Sequence, residues 1–529
     1  MHKKGVKKAD KLFAAREVER LLEYGLKEGL LGKYDLPLAR NALLQLLRLD
    51  EPYPGKLNFN EDRIPETPAK ILDNLLEYAW QSGLLSENTV TRRDLFDTRL
   101  MGVLVPRPTE VIRDFWQRSR QDSIEAAADS LYQQAMSSNY IRIRRVERNS
   151  NWQAETDYGQ MEITINLSKP EKDPEEIARA ARTESADYPR CPLCLENMGY
   201  PGRLDHPARQ NLRVIPLQLG EEEWFFQYSP YVYYHQHAIV FSSEHRPLSI
   251  DRSTFVRLLE FLEIFPHFFI GSNADLPLVG GSILSHDHFQ GGNHHFPMAR
   301  AEIKEGYYHP GFQGVSIGRV KWPLSVIRLS SSAPQQLIQL AHEILQAWRE
   351  YSDPDYRLLA SSIADGRRVE HNTITPIARR NGSNYQLDLV LRNNRTSKEH
   401  PEGIFHPHRH LHHIKKENIG LIEVIGLAVL PGRLKQELEG IKEYLRGKAS
   451  LDNGVSDWLK AHQSWIRELL EAKGSELSEQ EADLLIKQNL AYKFQQVLAD
   501  AGVFKDHERG RRGLEKFLSS VGIRKAGEG

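Results

Sequence analysis

Residues 280–292 read GGSILSHDHFQGG, the densest group of histidine, amide and glycine residues in the chain. Apolar residues lead into this motif, so we predict that it ends a β-strand. Because side chains alternate along a strand, positions 286, 288 and 290 would then point to one face. Two imidazoles and an amide would line that face, and the flanking glycines would let a ligand approach the backbone closely.

The side chains of His286, His288 and Gln290 suit chemistry at phosphorus. A neutral imidazole can attack phosphorus when its other ring nitrogen donates a hydrogen bond to a fixed acceptor, which holds the tautomer. An amide two residues further on can donate to a phosphoryl oxygen as negative charge develops there. A pair of structural histidines at a strand end is the alternative, and the glycine-rich flanks together with Gln290 favour chemistry.

The chain contains two cysteines, Cys191 and Cys194, in a C-x-x-C pattern. In a reducing compartment this spacing indicates a metal site or a redox pair rather than a structural disulfide. Two thiolates can hold one zinc ion, but zinc needs four ligands and there is no second C-x-x-C, so histidine or carboxylate would complete the site. The histidine candidates are His206, His235, His237, His245, His286 and those of residues 406–413. A reduced, buried pair of cysteines is the alternative.

A second histidine-rich stretch, residues 405–418, reads FHPHRHLHHIKKEN. Its histidines and basic residues could bind a metal or the phosphates of a nucleotide sugar, and a solvated polar loop is the alternative. Guanidinium and amide groups suited to phosphate also occur in residues 210–213 (QNLR) and 371–380 (HNTITPIARR). Arg213 and Arg379 are the candidates there, with surface ion pairs as the alternative for each.

Aromatic side chains are concentrated in residues 224–234, which read WFFQYSPYVYY. Such a run could stack a uracil ring, but runs of this kind more often belong to a hydrophobic core. Both interpretations stay open at this point.

Length and charge exclude several classes of protein. With 529 residues the chain is too long for one ordinary core, so we expect two to four structural units. Its 70 Lys and Arg against 71 Asp and Glu give a net charge of −1, whereas a non-specific nucleic-acid coat or a binder of acidic membranes needs a basic excess. We find no signal-peptide pattern, and apolar runs such as residues 421–430 are about half of a membrane span. We therefore expect a cytoplasmic protein.

The apolar pattern predicts a mixed α+β protein. Roughly the first 150 residues read as helical, except residues 94–108, which we predict to be an ordered loop. Residues 159–167 alternate apolar and polar side chains, as a half-buried strand does, and a charged linker follows at 169–174. Further predicted strands are 224–228, 238–242, 281–290, 385–392 and 421–430, and further predicted helices are 251–265, 334–350 and a segment that a capping box opens at Ser478 and Gly502 ends.

Three motifs occur in the order found in galactose-1-phosphate uridylyltransferases, which belong to the histidine-triad superfamily. They are CPLCLEN at 191–197, VFSSEH at 240–245 and HDHFQ at 286–290. The chain most closely resembles the second type of this family, found in Gram-positive bacteria, and that resemblance covers nearly the whole length. One departure from the first type is Asp287, which stands where that type has proline.

The resemblance implies a role for each motif residue. His288 would be the nucleophile that takes UMP from UDP-glucose, and Gln290 would contact the transferred phosphoryl group. The implied zinc ligands are Cys191, Cys194, His245 and His286, with zinc in a structural role and no organic cofactor. As substrate-binding residues we expect Asn273, Ser285, Arg213 and Arg379.

The fold implied by the resemblance is α+β, with two histidine-triad-like antiparallel half-barrel units and helical extensions at both ends. The expected parts are a helical region at 1–155, a first catalytic half at 156–305, a second half at 306–435 and a helical region at 436–529. UDP-glucose, UDP-galactose and hexose 1-phosphates would be the ligands, without nucleic acid or membrane, and the family suggests a homodimer. Two rivals remain: a dinucleotide hydrolase or phosphorylase of the same superfamily, and a non-catalytic, zinc-stabilised binding protein.

Overall fold

The computed structural model describes residues 8–58, 63–168, 187–281 and 283–527. The predicted charged linker at 169–174 lies outside these residues. Within them, no helix is both long enough and apolar enough to cross a membrane.

Helices dominate the first part of the chain, as predicted. They are Lys8–Lys27, Leu36–Leu47, Ala69–Gln81, Val90–Met101, Pro108–Gln121, Ile124–Ser137 and Ile143–Val146. The prediction of a loop at 94–108 was wrong for its first half, because residues up to Met101 are helical. Thr89 begins that helix by accepting a hydrogen bond from the backbone N–H of Arg92, which satisfies one of the free donors at a helix start.

Helices also follow the central region and form most of the C-terminal part. The remaining helices of the described chain are Arg252–Ile264, Pro297–Arg300, Pro334–Glu350, Leu421–Val424, Leu434–Leu445, Gln463–Lys473, Glu479–Ala501 and Glu508–Ser520. The capping box predicted at Ser478 is present: its side chain accepts from the N–H of Glu481, whose carboxylate accepts from the N–H of Ser478. The helix that it opens ends directly before Gly502, as expected.

Sixteen strands, numbered in chain order, lie in the described residues. They are β1 Ser150–Thr156, β2 Gly159–Asn166, β3 Ile215–Leu219, β4 Glu222–Tyr228, β5 Ala238–Ser242, β6 Phe269–Gly271, β7 His288–Gly292, β8 Ile303–Tyr308, β9 Ser316–Val320, β10 Val326–Ser331, β11 Ser361–Ala364, β12 Arg367–Glu370, β13 Asn372–Asn381, β14 Asn384–Asn393, β15 Leu427–Pro431 and β16 Arg524–Lys525.

Eleven of these strands form one antiparallel sheet, in the order β16-β8-β9-β10-β14-β13-β6-β7-β5-β4-β3. The first half of the sheet has three consecutive strands, a helix, and then β6 and β7. The second half repeats that plan: β8, β9 and β10, a helix, and then β13 and β14. In both halves the last strand pairs with the third, and β6 and β13 join the halves. The predicted α+β fold with two related halves is therefore confirmed.

Around β6, β7 and β13 the two faces of this sheet bury different cores. Phe289 and Ile270 belong to a core that includes residues of the helices Arg252–Ile264 and Pro334–Glu350. Phe269 and Ile377 belong to a second core, which residues of the C-terminal helices complete. Because side chains alternate along strands, every other residue of β7 faces each core.

The register of the sheet assigns Gln290 to a face. Gln290 lies opposite Gly271 of β6, and Gly271 lies opposite Ile377 of β13. Directly opposed residues share a face of the sheet. Gln290, and His288 two residues before it, therefore face the same side as Ile377, away from the helices that cover Phe289.

Two predicted strands were wrong in part. The run at 281–290 forms a strand only from His288 onward, and the run at 421–430 divides into a short helix and β15. Between these, Gly426 has a φ of 105°, a left-handed conformation that favours glycine and ends the helix. β15 then pairs in parallel with β2 in a separate three-stranded sheet. The unit boundaries expected at 155, 305 and 435 stay a prediction.

Candidate active site

Four side chains predicted to hold zinc converge on one point. Their potential ligand atoms all lie within 4.8 Å of one another. The two Sγ atoms are 3.6 Å apart, Cys191 Sγ is 3.2 Å from Nδ1 of His286, and Cys194 Sγ is 3.1 Å from Nδ1 of His245. Tetrahedral zinc with ordinary bond lengths would hold two sulfurs about 3.8 Å apart and a sulfur and a nitrogen about 3.6 Å apart. Cys191, Cys194, His245 and His286 thus fit a closed tetrahedral site.

The chemistry of this cluster also favours a cation. Burial raises the pKa of the Cys191 thiol, so thiolates at this position need a compensating positive charge, which a bound metal supplies. His286 presents Nδ1 to the thiols, and its Nε2–H donates to the carbonyl oxygen of Ser242, 2.9 Å away. That hydrogen bond fixes the ring and the tautomer, as outer hydrogen bonds do for metal-binding histidines.

The loop that carries the cysteines is held by Asn197. Its side-chain amide donates to the backbone carbonyls of Cys191 and Cys194, each at 2.8 Å, and its carbonyl oxygen lies 2.6 Å from Nε2 of His206. His206, a candidate ligand by composition, therefore supports the loop from outside the cluster. Sequence spacing alone could not decide whether His206 or His245 lies at the cysteines, because both residues follow the cysteines in the same part of the chain.

The nucleophile candidate, His288, is the first residue of β7 and is only 5% exposed. Its Nδ1–H donates to the carbonyl oxygen of His286 at 2.7 Å. Since a neutral imidazole carries one N–H, this bond leaves Nε2 as an unprotonated lone pair. Burial lowers the pKa of His288 to about 4, so the ring is neutral near pH 7. The geometry is that of an imidazole prepared for nucleophilic attack.

The motif is brought to this position by contacts before β7 rather than by a strand. Backbone N–H groups of Leu248 and Asp287 bond to the carbonyls of Leu284 and Arg246, respectively. The side chain of Asp287 lies 3.6 Å from Nε of Arg246, and burial raises its pKa to about 6. Asp287 therefore faces the guanidinium group of Arg246 in the neighbouring loop. With Asp287 turned to that side, the preceding residue, His286, points toward the cysteines.

Gln290 stands in the middle of β7, opposite Gly271 of β6 and Ile239 of β5. Its side-chain carbonyl oxygen lies 3.3 Å from Nε2 of His237, which directly precedes β5. At Gly271 a Cβ would come 2.8 Å from the carbonyl oxygen of Pro376, so glycine is needed where β6 meets the second half. The sequence suggested His237 only as a possible metal ligand. The contact between His237 and Gln290 depends on the strand register, which no local sequence pattern specifies.

Asn273 and Ser285 flank the motif in different ways. Asn273 is buried, and its side-chain oxygen accepts a hydrogen bond from the N–H of Leu421 at 2.8 Å. A Cβ at Gly281 would lie 2.6 Å from the amide nitrogen of Asn273, so the motif and the second half meet at this side chain. Ser285 is exposed next to His286. Neither position is tested by a ligand, and both remain predicted substrate-binding residues.

Both candidate arginines make contacts within the fold. Arg213 donates to four backbone carbonyls, those of residues 105, 106, 210 and 212. Arg379 is paired with Asp388 at 2.9 Å, and Asp388 also binds Arg328 at 2.7 Å. These contacts give both arginines partners within the protein, while Nη2 of Arg379 is buried and has no hydrogen-bond partner among the described residues. Their role in substrate binding stays a prediction.

The histidines of residues 406–413 do not form a second cluster. Nδ1 of His406 and Nε2 of His412 both lie within hydrogen-bonding distance of the carbonyl of Pro407, His408 lies 3.4 Å from Asp500, and His413 contacts His462. Across the described parts of the chain, the cysteine-containing cluster is the only group of three or more His, Cys, Asp or Glu side chains that could hold a metal.

A cavity of about 1890 Å³ is lined by residues of the described chain that include neither His288 nor Gln290. Tyr231 and Tyr233 line it together with basic residues such as Arg148 and Arg209, and the ring of Tyr233 lies 5.4 Å from that of His237. Residues Trp224, Phe226 and Tyr228 of the same aromatic run belong instead to the core. The core interpretation is thus confirmed for this part of the run, and the stacking of a uracil ring stays a prediction.

Comparison with known proteins agrees with this geometry. The model of the galactose-1-phosphate uridyl transferase N-terminal domain matches residues 38–247, and that of the C-terminal domain matches residues 261–463. A galactose-1-phosphate uridylyltransferase of Caldanaerobacter subterraneus subsp. tengcongensis is 52% identical over 97% of this chain and 99% of its own. Proteins of the same name from Halalkalibacterium halodurans and Bacillus subtilis are 50% and 46% identical, each over 96% of this chain and 98% of its own.

Among solved structures, yeast Ap4A phosphorylase Apa2 aligns with 67% of this chain and 98% of its own, with a TM-score of 0.28 and 9% identity; we base nothing on a likeness this low. The two domain models and the near-complete coverage of the relatives leave one conclusion. The chain belongs to the galactose-1-phosphate uridyl transferase family.

Proposed function

We propose that this protein transfers UMP from UDP-glucose to galactose 1-phosphate, giving glucose 1-phosphate and UDP-galactose in galactose metabolism. The observation that carries the proposal is the hydrogen bond from Nδ1–H of His288 to the carbonyl of His286. It leaves Nε2 as a free lone pair in a buried, neutral ring, which suits attack on phosphorus. The relatives are named galactose-1-phosphate uridylyltransferases, which supports galactose 1-phosphate as the acceptor and a uridylyl group as the group transferred. UDP-glucose as the donor is what the resemblance to the family implies.

In the first step, Nε2 of His288 attacks the α-phosphorus of UDP-glucose. A nitrogen–phosphorus bond forms, the bond from the α-phosphorus to the bridging oxygen breaks, and glucose 1-phosphate leaves with the electron pair. In the second step, a phosphate oxygen of galactose 1-phosphate attacks the same phosphorus. The nitrogen–phosphorus bond breaks, UDP-galactose leaves, and His288 regains its lone pair for the next cycle.

Gln290 would act on the phosphoryl group during both steps. Its amide can donate to a non-bridging oxygen as negative charge develops, in a site where burial strengthens such bonds. A side-chain amide neither loses nor gains a proton near neutral pH. It therefore offers no strong acid or base to activate water, and this favours transfer to a sugar phosphate over hydrolysis.

Zinc is proposed as the structural metal of the four-residue cluster. Cys191, Cys194, His245 and His286 would hold it, and their distances and donor types support this assignment. A bound ion would tie the cysteine loop to the segment before β7. Since the carbonyl of His286 is the acceptor for His288, the cluster would fix the nucleophile without contacting substrate.

The homodimer, the cytoplasmic location and the boundaries at 155, 305 and 435 belong to the proposal as well. Light scattering on the purified protein tests the dimer. Limited proteolysis tests the boundaries, because linkers between units are cut before their interiors.

Product analysis separates the proposed function from its rivals. Uridine-labelled UDP-glucose is incubated with the protein, with and without galactose 1-phosphate. A transferase gives labelled UDP-galactose only when the acceptor is present. A hydrolase releases labelled UMP in both reactions, and a non-catalytic binding protein leaves UDP-glucose unchanged in both.

A further inference from the structure

His237 is a buried histidine next to the active site, and the proposed mechanism gives it no task. Only 3% of its surface is exposed, and its Nε2 lies 3.3 Å from the side-chain oxygen of Gln290. Its Nδ1 is buried and has no hydrogen-bond partner among the described residues. The rings of Tyr234 and Tyr233 pack beside it, at centroid distances of 4.5 and 5.4 Å.

The proton of this imidazole belongs on Nε2. A neutral ring has one N–H. Burying that N–H without an acceptor costs more free energy than placing it within hydrogen-bonding distance of an acceptor. Nε2 faces the oxygen of Gln290, whereas Nδ1 faces no acceptor in the described chain. Burial also lowers the pKa of His237 to about 3, so the ring stays neutral at working pH.

This contact decides which end of the Gln290 amide faces the substrate. A side-chain amide has an accepting oxygen and a donating nitrogen, and the two ends exchange places by a half-turn. Phosphoryl oxygens are acceptors, so only the nitrogen end helps the reaction. A donor fixed behind Gln290 holds the oxygen away from the substrate and leaves the nitrogen free to donate.

From this geometry we propose that His237 is a positioning residue, which donates to the oxygen of Gln290 and thereby aims the amide nitrogen at the transferred phosphoryl group. This inference rests on the proposed function, because that function is what assigns Gln290 to the transferred phosphoryl group. His237 would affect the reaction only by orienting Gln290.

The backbone holds His237 firmly enough for this role. Its N–H donates to the carbonyl of Tyr234 at 3.2 Å, and its carbonyl accepts from the N–H of Ser229 at 2.7 Å. The next residue begins β5, which pairs with β7 so that Ile239 lies opposite Gln290. The donor and the amide that it orients are therefore fixed to neighbouring strands.

Two substitutions of similar size separate donation from packing. His237→Leu fills the space without a donor, and His237→Gln restores an N–H at about the reach of Nε2. We expect His237→Leu to lower the single-turnover rate of UMP transfer roughly 10- to 100-fold, below the loss for removing a direct donor. KM for UDP-glucose should change less than about threefold, and His237→Gln should recover most of the rate. Thermal unfolding of each full-length variant checks that the fold is intact.

A double-mutant cycle with Gln290→Ala tests whether His237 acts through Gln290. If it does, adding His237→Leu to Gln290→Ala leaves the transfer rate within about twofold of Gln290→Ala alone. Losses that multiply would overturn the proposal, and so would a rate for His237→Leu equal to that of the wild type. If the wild type itself transfers no UMP, the proposed function fails instead, so the two failures are distinct.

Discussion

Nδ1 of His288 lies 2.7 Å from the carbonyl oxygen of His286, its neighbour but one. This bond joins the two tasks of the motif, because His286 presents its own Nδ1 to Cys191 while its carbonyl orients the nucleophile. One short segment before β7 therefore serves both the metal cluster and the reacting nitrogen.

Gln290→Ala should reduce the rate of transfer strongly with little effect on stability. Loss of one preorganised donor to developing charge costs about 10²- to 10³-fold in rate. Gln290 is only partly buried, and within the described residues its side chain makes one hydrogen bond, to His237. Stopped-time assays with purified variants measure the rate. A variant as active as the wild type would remove Gln290 from the mechanism.

The protein as purified should contain about one zinc ion per chain, and Cys194→Ala should lose it. A structural zinc site contributes directly to folding, so the midpoint of thermal unfolding should fall for this variant and for the wild type with a strong chelator. Elemental analysis gives the metal content. Ser243→Ala, a change in the loop before His245, serves as the control and should keep the metal. A metal-free wild type with an unchanged unfolding midpoint under chelation would contradict the assignment.

Asp388→Ala should destabilise the protein by about 3–5 kcal/mol, because it leaves buried charges without a partner. Asp388 is 0% exposed and holds both Arg328 and Arg379. The matched control is Glu399→Ala, which removes the exposed partner of Arg357; that change should cost under about 1 kcal/mol. Denaturant unfolding measures both. Equal effects would mean that Asp388 is not essential to the second half.

Acid should destabilise the fold through His206, and His206→Gln should weaken this effect. Burial lowers the pKa of His206 to about 4, against about 6.5 in the unfolded chain. The unfolded state therefore binds more protons between these values, so the stability due to a neutral His206 is complete above pH 6.5 and is lost as the pH falls toward 4.

Between pH 7 and 5 the loss from His206 is on the order of 2 kcal/mol. The free energy of unfolding, measured for wild type and variant at several pH values, gives this difference. Parallel curves for the two proteins would show that His206 ionises alike in the folded and unfolded states.

Much of the fold was predictable because local signals sufficed. The predicted strand at 238–242 and the predicted helix at 334–350 each match an element of the structure to the residue. The pairing of the two halves was not visible in any single pattern. It entered through the resemblance, and the strand order confirms it.

The wrong predictions of secondary structure have physical causes that lie outside the segments concerned. Residues 284–287 were predicted as strand, but their backbone groups bond to the loop at 246–248 and to the end of β5. This exchange places His286 at the cysteines, so contacts with distant parts of the chain override the strand pattern. The loop predicted at 94–108 was wrong because Thr89, outside the segment considered, caps a helix that runs to Met101.

The site was only partly predictable for a related reason. The motif predicts roles for His288 and Gln290 because both residues, and the His286 carbonyl that accepts from His288, lie within five residues of chain. Arg213 and Arg379 were chosen by residue type, and their use by backbone carbonyls and by Asp388 depends on tertiary contacts. His237, in contrast, was not predicted to contact Gln290, because that contact arises from the pairing of strands about fifty residues apart in the chain.

The central claim, a covalent uridylyl group on His288, is tested most directly by isolating it. The protein is mixed with uridine-labelled UDP-glucose, freed of nucleotide, and examined by intact mass and by label, alongside His288→Ala and the control His235→Ala, which changes an exposed histidine. We predict an acid-labile UMP adduct on the wild type and on the control, absent from His288→Ala, which galactose 1-phosphate discharges as labelled UDP-galactose. A wild type that turns over without any adduct, or an adduct that persists in His288→Ala, would contradict the account.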